Sequence, residues 1–325
     1  MSNNENAAAN HFYAIDWLRA FAAITVCFYH FTYGFLLPEH WLRWFSQYGY
    51  LGVQCFFLIS GFIIPYSFEQ KDYKINQFFA FIKKRAIRIE PAYWVSIVLM
   101  LLMDLVGKYT ADGTYVVPDH NVSNTLLHVT HLNFILGQPW IRDIYWTLAI
   151  DWQFFLLMLL FYIVFSNPSR WIRYAALFIF VALHWFMSSE WLFYHSFAFA
   201  VGLCFYFYYT SKCSFIELLL LIVIILVATY QAMGITHFMA IAGSAAVVLC
   251  CNKMWSWASN IGKISYSIYL THVFSGWAVC ELARLLTQNQ DLIALSIFFA
   301  TAVSIFFAKY FYDFVEAPTQ SWSRK

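Results

Sequence analysis

Apolar runs about as long as a membrane is thick recur along almost the whole chain of 325 residues. A bilayer core is spanned by a helix of about 20 residues, with a working range of roughly 17–25. Ten runs fit this length: 13–36, 48–68, 91–107, 145–165, 174–188, 191–210, 214–232, 235–252, 264–286 and 290–315. Only 11% of the residues are charged, too few to cover a water-soluble domain. The sequence therefore predicts an all-α polytopic membrane protein with about ten transmembrane helices.

The runs leave room for only one domain. A polar segment, 1–12, precedes the first run and lacks the basic region and cleavage site of a signal peptide. We expect 13–318 to form the membrane domain and 319–325 a cytoplasmic tail. A further apolar stretch, 126–136, is too short to span, and we expect it either to lie on the membrane surface or to re-enter the bilayer.

The distribution of Lys and Arg predicts the orientation, because cytoplasmic loops carry the excess of these residues. Successive connections lie on alternate sides of the membrane. Thirteen Lys and Arg residues fall on the side of the connection 69–90, and four fall on the other side. Both termini are therefore expected in the cytoplasm. Within that connection, residues 77–90 mix basic with aromatic residues, which is typical of an amphipathic surface helix or of a stretch that holds anionic membrane lipid.

Some partners are not expected. A net charge of +2 without a basic stripe does not indicate nucleic-acid binding. The seven cysteines show neither a disulfide framework nor a metal pattern. His128 and His131 are three residues apart, but no third ligand follows at helical spacing, so we expect no metal site.

The first run carries three ionisable residues, Asp16, Arg19 and His30. Burying such a side chain in a spanning helix costs at least about 2.5–3.5 kcal/mol, so it usually faces a partner or a cavity. Asp16 is close enough along a helix to pair with Arg19. Arg19 and His30 lie within about 20° of the same helix face and roughly 16 Å apart along the axis. They are expected to line one path, unless the arginine merely snorkels and the histidine is hydrogen-bonded in the core.

Later segments add further polar groups at membrane depth. Small residues in 49–61 allow close approach of helix backbones. Arg85 and Arg88 lie three apart, which suits two guanidinium groups to one phosphate-bearing ligand. Asp151 lies inside the fourth run. Three more polar residues close the series: Tyr266, His272 and Glu316.

In this order, the segments resemble the acyltransferase-3 family of integral membrane acyltransferases. The resemblance is carried by the following residues: Asp16, Arg19 and His30 with the arginine, ten residues, histidine pattern; Gly52, Ser60 and Gly61; Arg85 and Arg88 before Pro91; Trp146 to Asp151; Ser265 to His272; and Glu316 with Pro318. It spans residues 15–318, and no single motif is as specific as the six in register.

The resemblance implies ten helices in a bacterial inner membrane and transfer of an acyl group, usually acetyl from cytoplasmic acetyl-CoA, to a hydroxyl of a cell-envelope or exported carbohydrate. Together with the physical argument, it assigns His30 as general base or acyl-carrying nucleophile and Asp151 as a second catalytic residue. The phosphates of the donor would be held by Arg19, Arg85 and Arg88. Supporting roles fall to Asp16, Tyr266, His272 and Glu316.

The sequence departs from the family pattern at two positions. Asp151 stands where glutamate is common, and Glu90 stands where an aromatic or aliphatic residue is usual, so Glu90 is expected to pair with a nearby basic residue. The esterase-like periplasmic domain of many relatives is not expected after Pro318. Either the membrane domain suffices, or a separate periplasmic protein completes the transfer.

Two other classes of protein fit the intramembrane charges. A transporter or flippase would move an anionic or glycan substrate without chemistry, and it would show two similar halves with Gly- or Pro-broken spans, which the sequence does not display. A membrane sensor or scaffold would use the same charges as structural ion pairs. Only the enzyme would transfer label from acetyl-CoA to a product.

Overall fold

The computed structural model describes residues 12–110, 122–251, 253 and 255–324. These residues form helices joined by turns, and no strand occurs among them. The helices are α1 Tyr13–Phe35, α2 Trp41–Ser46, α3 Gly52–Gln70, α4 Phe78–Thr110, α5 Val122–Val129, α6 Trp146–Phe165, α7 Arg170–Ala182, α8 Ser196–Tyr209, α9 Phe215–Cys250, α10 Ser256–Lys263, α11 Ser265–Leu286, α12 Gln290–Phe311 and α13 Ala317–Trp322. The all-helical prediction is confirmed.

Within the described ranges, six helical stretches are long and apolar enough to cross a membrane: Trp41–Gln70, Ile75–Gly107, Asp143–Phe165, Leu192–Tyr209, Phe215–Cys250 and Gln290–Trp322. The fifth, α9, breaks at Gly234, where φ is 80°. Glycine adopts this left-handed backbone without a steric penalty, and the break falls between the predicted spans 214–232 and 235–252. The number of crossings otherwise stays a prediction.

Three predicted spans fall outside the set of six. Helix α7 has only 13 residues. Helices α1 and α11 are long enough, with 23 and 22 residues, but polar side chains reduce their apolar character. Arg19 and His30 of α1 and Tyr266 and His272 of α11 are among the residues of the candidate site.

The close backbone approach predicted for 49–61 is confirmed where α3 crosses α8. A Cβ atom added at Gly61 would lie 2.2 Å from the carbonyl oxygen of Phe199, and one added at Gly202 would lie 2.2 Å from that of Leu58. No larger residue fits without moving a helix. Helix α3 is thereby fixed between α8 and α1, since Cβ atoms added at Gly49 and Gly52 would lie 2.4 Å and 2.9 Å from backbone carbonyl oxygens of α1.

Residues 77–90 do not form a separate surface helix. Gln77 ends a short 3-10 turn, residues 78–90 are the first turns of α4, and Pro91 lies inside this continuous helix of 33 residues. Neighbouring helices bind the backbone next to the proline: the Thr319 hydroxyl donates to the carbonyl oxygen of Arg88 at 3.2 Å, and the Tyr266 hydroxyl to that of Ile89 at 3.2 Å. Such contacts allow proline within a membrane helix.

The short stretch 126–136 lies against the middle of α4. The Tyr93 hydroxyl donates to the carbonyl oxygen of His128 at 3.0 Å, and His131 reaches Glu90 at 3.1 Å. Arg142, a few residues later, pairs with Asp104, which is about 20 Å farther along α4 than Glu90 at the rise of an α-helix. The chain therefore passes down and up beside α4, which favours the re-entrant alternative.

Candidate active site

A cavity of about 590 Å³ opens among α1, α3, α4, α6, α11 and the C-terminal α13. Its lining includes seven basic residues: Arg19, Lys71, Lys84, Arg85, Arg88, Lys263 and Arg324. Only two acidic residues, Asp151 and Glu316, join them among the described residues. The excess of positive charge in a partly enclosed space suits an anionic ligand.

The three arginines predicted to bind phosphate meet in this cavity. Arg85 and Arg88 lie one turn apart on α4, and Arg19 faces them from α1. Arg85 forms an ion pair with Asp151 and lies over the Phe155 ring at 4.4 Å. Arg19 and Arg88 form no ion pair with any described residue, so their guanidinium groups are available to a ligand.

Asp151 lies in this cationic cavity and not beside a histidine. Its partner is Arg85, and its second carboxylate oxygen is buried without a hydrogen bond from the described residues. A carboxylate so placed balances the charge of Arg85 and fixes the direction of its guanidinium. The geometry therefore connects Asp151 with the anion-binding residues, whereas the sequence associated it with catalysis.

Three of the four supporting residues, Asp16, Tyr266 and Glu316, occupy the same end of the molecule. Glu316, in a π-helical turn before α13, accepts hydrogen bonds from Ser267 at 2.5 Å and Gln320 at 2.8 Å. The carboxylate of Glu316 acts electrostatically on Arg19 and Arg88. Asp16 accepts from Ser259 at 2.9 Å and also acts electrostatically on Arg19.

Four of the basic lining residues were not predicted as site residues: Lys71, Lys84, Lys263 and Arg324. In the sequence they counted only toward the orientation of the chain. They come from three separate segments, and only the fold brings them to one opening. The signal that was available is that all four lie on the side with the Lys and Arg excess.

A small hydrogen-bonded group closes the inner end of the cavity. The Tyr269 hydroxyl donates to the carbonyl oxygen of Ile144 at 2.7 Å and lies 2.7 Å from the Thr147 hydroxyl. Tyr269 and Thr147 both line the cavity, while His30 and His272 do not. The arginines and His30 are thus separated by this layer of side chains.

His30 lies beyond that layer, beside His272, with ring centroids 5.2 Å apart. His272 is fully buried, and its Nδ1 is 2.9 Å from the Tyr269 carbonyl oxygen and 3.1 Å from that of Ile268. Because both neighbours are acceptors, Nδ1 carries the hydrogen and Nε2 is an acceptor. This Nε2 has no partner among the described residues. His272 is therefore the candidate group for orienting His30.

With this geometry established, comparison with known proteins identifies the family. The family model described as "Acyltransferase domain", the acyltransferase-3 family, matches residues 12–312. The chain belongs to this family. Membership does not favour the transporter alternative.

Two curated relatives are similar to parts of this member of the acyltransferase-3 family. Peptidoglycan O-acetyltransferase OatA of Listeria monocytogenes is 27% identical over 177 residues, which is 49% of this chain and 25% of the relative. Putative acetyltransferase ORF330 of Acidianus two-tailed virus is 29% identical over 148 residues, 45% of this chain and 40% of the relative. The chain thus covers less than half the length of either relative. No solved structure matches it.

The residue at which the chain departs from the family pattern, Glu90, forms a separate cluster. Its carboxylate accepts from the Trp152 indole at 2.6 Å and lies 3.1 Å from His131 Nε2. Trp152 in turn borders the cationic cavity. Glu90 thus pairs with a histidine of the re-entrant stretch and not with Arg85 or Arg88.

His128 and the cysteines, which were considered as metal or disulfide residues, are the last candidates to place in the structure. His128 Nε2 accepts from the backbone N–H of Ile141 at 2.9 Å. No group of three or more His, Cys, Asp or Glu side chains suited to a metal ion occurs in the part of the chain that the structure describes. All seven cysteines are free, and four of them are buried.

Proposed function

We propose that this protein is a membrane O-acyltransferase that moves an acetyl group from cytoplasmic acetyl-CoA to a hydroxyl of a cell-envelope or exported carbohydrate. The observation that carries this proposal is the cavity with seven basic and two acidic residues at one end of α1, while His30 lies on the same helix about 16 Å from Arg19. The names of the two relatives, both acetyltransferases, support it.

Coenzyme A presents several phosphate oxygens, which need more than one cation. Arg19 and Arg88 have no ion pair with described residues and would bind them first, with Arg85 held in position by Asp151. Charge-assisted hydrogen bonds from arginine to phosphate are among the strongest in proteins. The lysines at the opening would add attraction without fixed geometry.

The acyl group on its pantetheine arm would pass Thr147 and Tyr269 to reach His30. There the imidazole takes the proton of the acceptor hydroxyl as the oxygen attacks the thioester carbonyl. The new C–O bond forms, the C–S bond breaks, and the imidazolium returns its proton to the departing thiolate. The products are an acetyl ester and free coenzyme A.

His272 completes this proposal as a positioning residue. Its Nε2 is an acceptor close to His30, so a hydrogen bond from one His30 nitrogen would leave the other nitrogen free to accept a proton. The histidine pair replaces the role that Asp151 was expected to play. Acyl transfer through His30 as a nucleophile would use the same geometry.

The basic end of α1 is proposed to face the cytoplasm, since it carries the excess of Lys and Arg. His30 would then face the outer side of a bacterial inner membrane, where the acceptor sugar or a separate periplasmic transfer protein would meet it. In this arrangement the donor and the acceptor approach from opposite sides.

The direct test is transfer of label. Purified protein in lipid nanodiscs is mixed with acetyl-CoA labelled in the acetyl group and with a glycan extract of the source cells. The proposal expects labelled ester on the glycan fraction that is removed by mild alkali. Labelled acetyl-CoA that binds but yields no ester on any carbohydrate would overturn it.

A further inference from the structure

Tyr29 lies beside His30 and connects it to two further tyrosines, Tyr33 and Tyr50. The ring centroid of Tyr29 is 5.3 Å from that of His30, 5.5 Å from that of Tyr33 in a stacked geometry, and 5.4 Å from that of Tyr50. Tyr33 is 59% exposed and Tyr50 is 38% exposed. We call these three side chains the tyrosine platform. Its rings form a continuous aromatic surface that begins at His30.

The depth of the platform places it at the membrane boundary. Tyr33 comes 20 residues after Tyr13 at the start of α1, which is about 30 Å of helix and equals the thickness of a bilayer core. Arg19, by contrast, is only about 9 Å from Tyr13. With α1 as a predicted span, we expect the platform on the opposite side of the membrane from the cationic cavity.

The charged groups around the platform are not equivalent. The Arg43 guanidinium lies over the Tyr33 ring at 4.4 Å and donates to the carbonyl oxygen of Leu36 at 2.6 Å. It is thus already engaged. Asp143 is exposed, and its carboxylate interacts electrostatically with both His30 and Tyr29. Besides the tyrosine hydroxyls, this exposed carboxylate is a charged group near the platform that accepts hydrogen bonds from a ligand.

Exposed aromatic residues at a membrane boundary usually anchor a protein in the interface. Helix α2 fits that role, because Trp41, Trp44 and Phe45 are 62%, 70% and 75% exposed. The platform differs from α2 in its arrangement: Tyr29 contacts both other tyrosines and also His30. Anchoring alone does not require rings to be grouped around a histidine.

We propose that the tyrosine platform is the acceptor subsite and binds a neutral pyranose ring of a glycan. This inference rests on the proposed function, because it needs a hydroxyl to reach His30. The C–H face of a pyranose packs against aromatic rings, and the Asp143 carboxylate accepts hydrogen bonds from the hydroxyl groups of the sugar. A uronic acid would instead bring a second carboxylate next to Asp143, and repulsion between the two like charges would weaken its binding.

Binding is tested on the full chain in nanodiscs by ligand-observed NMR titration with maltotetraose, chitotetraose and tetragalacturonate, without acetyl-CoA. At least one neutral tetramer should bind more tightly than tetragalacturonate. Tyr33→Ala should weaken that binding about tenfold, as expected for loss of one aromatic contact, whereas Tyr33→Phe should stay within about twofold because the ring is kept. Trp44→Ala is the matched control, since it removes an exposed ring away from His30.

The results decide between a subsite and an anchor. Failure of both neutral tetramers to bind, or equal weakening by Trp44→Ala, would overturn the subsite. Asp143→Asn should raise the affinity for tetragalacturonate severalfold, and an unchanged preference would remove Asp143 from the subsite. The wild-type protein then separates the two proposals: binding without acetyl transfer supports the platform and contradicts the proposed function. Acetyl transfer with an acceptor KM that Tyr33→Ala leaves unchanged supports the proposed function and contradicts the platform as acceptor subsite.

Discussion

The two ends of α1 are built in different ways. Around Arg19 the molecule forms a cavity of about 590 Å³ lined by residues from at least six segments. Around His30 it presents a partly exposed surface of tyrosines and one buried histidine, His272. A cavity that already holds its charges in place suits a ligand of fixed shape, such as a nucleotide. An open surface suits the end of a large molecule that remains outside the protein.

A layer of side chains lies between the Arg19 end and the His30 end of α1, and it keeps the cavity and the open surface apart. Tyr269 and Thr147 separate the cationic cavity from His30. In the proposed function the donor would be held at one place and react at another, so substitutions at the two ends should have separable effects on donor and acceptor. The following predictions test that separation, in order of decreasing effect on activity.

The largest effect is expected at the reacting end. His30→Ala should lower kcat by about 10²–10⁴-fold, the usual contribution of a general base, while the affinity for acetyl-CoA stays the same. Steady-state transfer and equilibrium donor binding measure the two quantities. His40→Gln, which keeps an acceptor for the backbone N–H of Leu42, is the control for histidine loss on the same side. Full activity of His30→Ala would break the comparison.

The second largest effect on activity is expected in the cationic cavity. Arg88→Ala should raise the KM for acetyl-CoA by about tenfold or more, because a hydrogen bond to a charged group contributes about 1.5–3 kcal/mol. Acetyl-pantetheine, which lacks the nucleotide phosphates, should be used equally well by the wild type and the variant. A comparable loss with acetyl-pantetheine would mean that Arg88 does not act through phosphate.

Asp151 distinguishes the two ends most sharply, because the sequence and the structure give it different roles. Asp151→Asn removes the charge that neutralises Arg85, so the donor KM should fall, by less than about tenfold for one additional guanidinium. The acceptor KM should not change. A large fall in kcat with an unaltered donor KM would indicate that Asp151 acts in catalysis.

The smallest effect on activity is expected at Glu90. Glu90→Gln keeps an acceptor for the Trp152 indole but loses the charge opposite His131. The donor KM should change about twofold or less, while the melting temperature falls, because a buried charge-assisted contact contributes about 1.5–3 kcal/mol. Glu281→Gln, in a surface pair with Arg284, is the control and should have little effect on stability. Equal melting temperatures would show that Glu90 anchors nothing.

Helical class and the grouping of the arginines could be predicted from the sequence, because both follow from local spacing. Apolar runs of membrane length predict helices, and residues three apart on a helix share a face. The resemblance then brought Arg19 to the same site as Arg85 and Arg88, and the structure places all three in one cavity. Family membership is likewise confirmed.

Partners that depend on packing between helices could not be predicted. Asp151 faces Arg85 only because α6 packs against α4 at that depth, and Glu90 meets His131 only because the chain doubles back beside α4. Lys263 and Arg324 join the cavity for the same reason. Length alone also does not decide the number of crossings, since α1 and α11 are long enough but fall outside the six apolar stretches.

The central claim is that donor and acceptor react across the membrane through one helix. It is tested most directly in proteoliposomes of fixed protein orientation, with labelled acetyl-CoA supplied only on the side of the basic cavity and a membrane-impermeant glycan only on the other. We expect labelled ester on the glycan, and none when the two compartments are exchanged or when His30→Ala replaces the wild type. Transfer only when donor and acceptor share one side would contradict it.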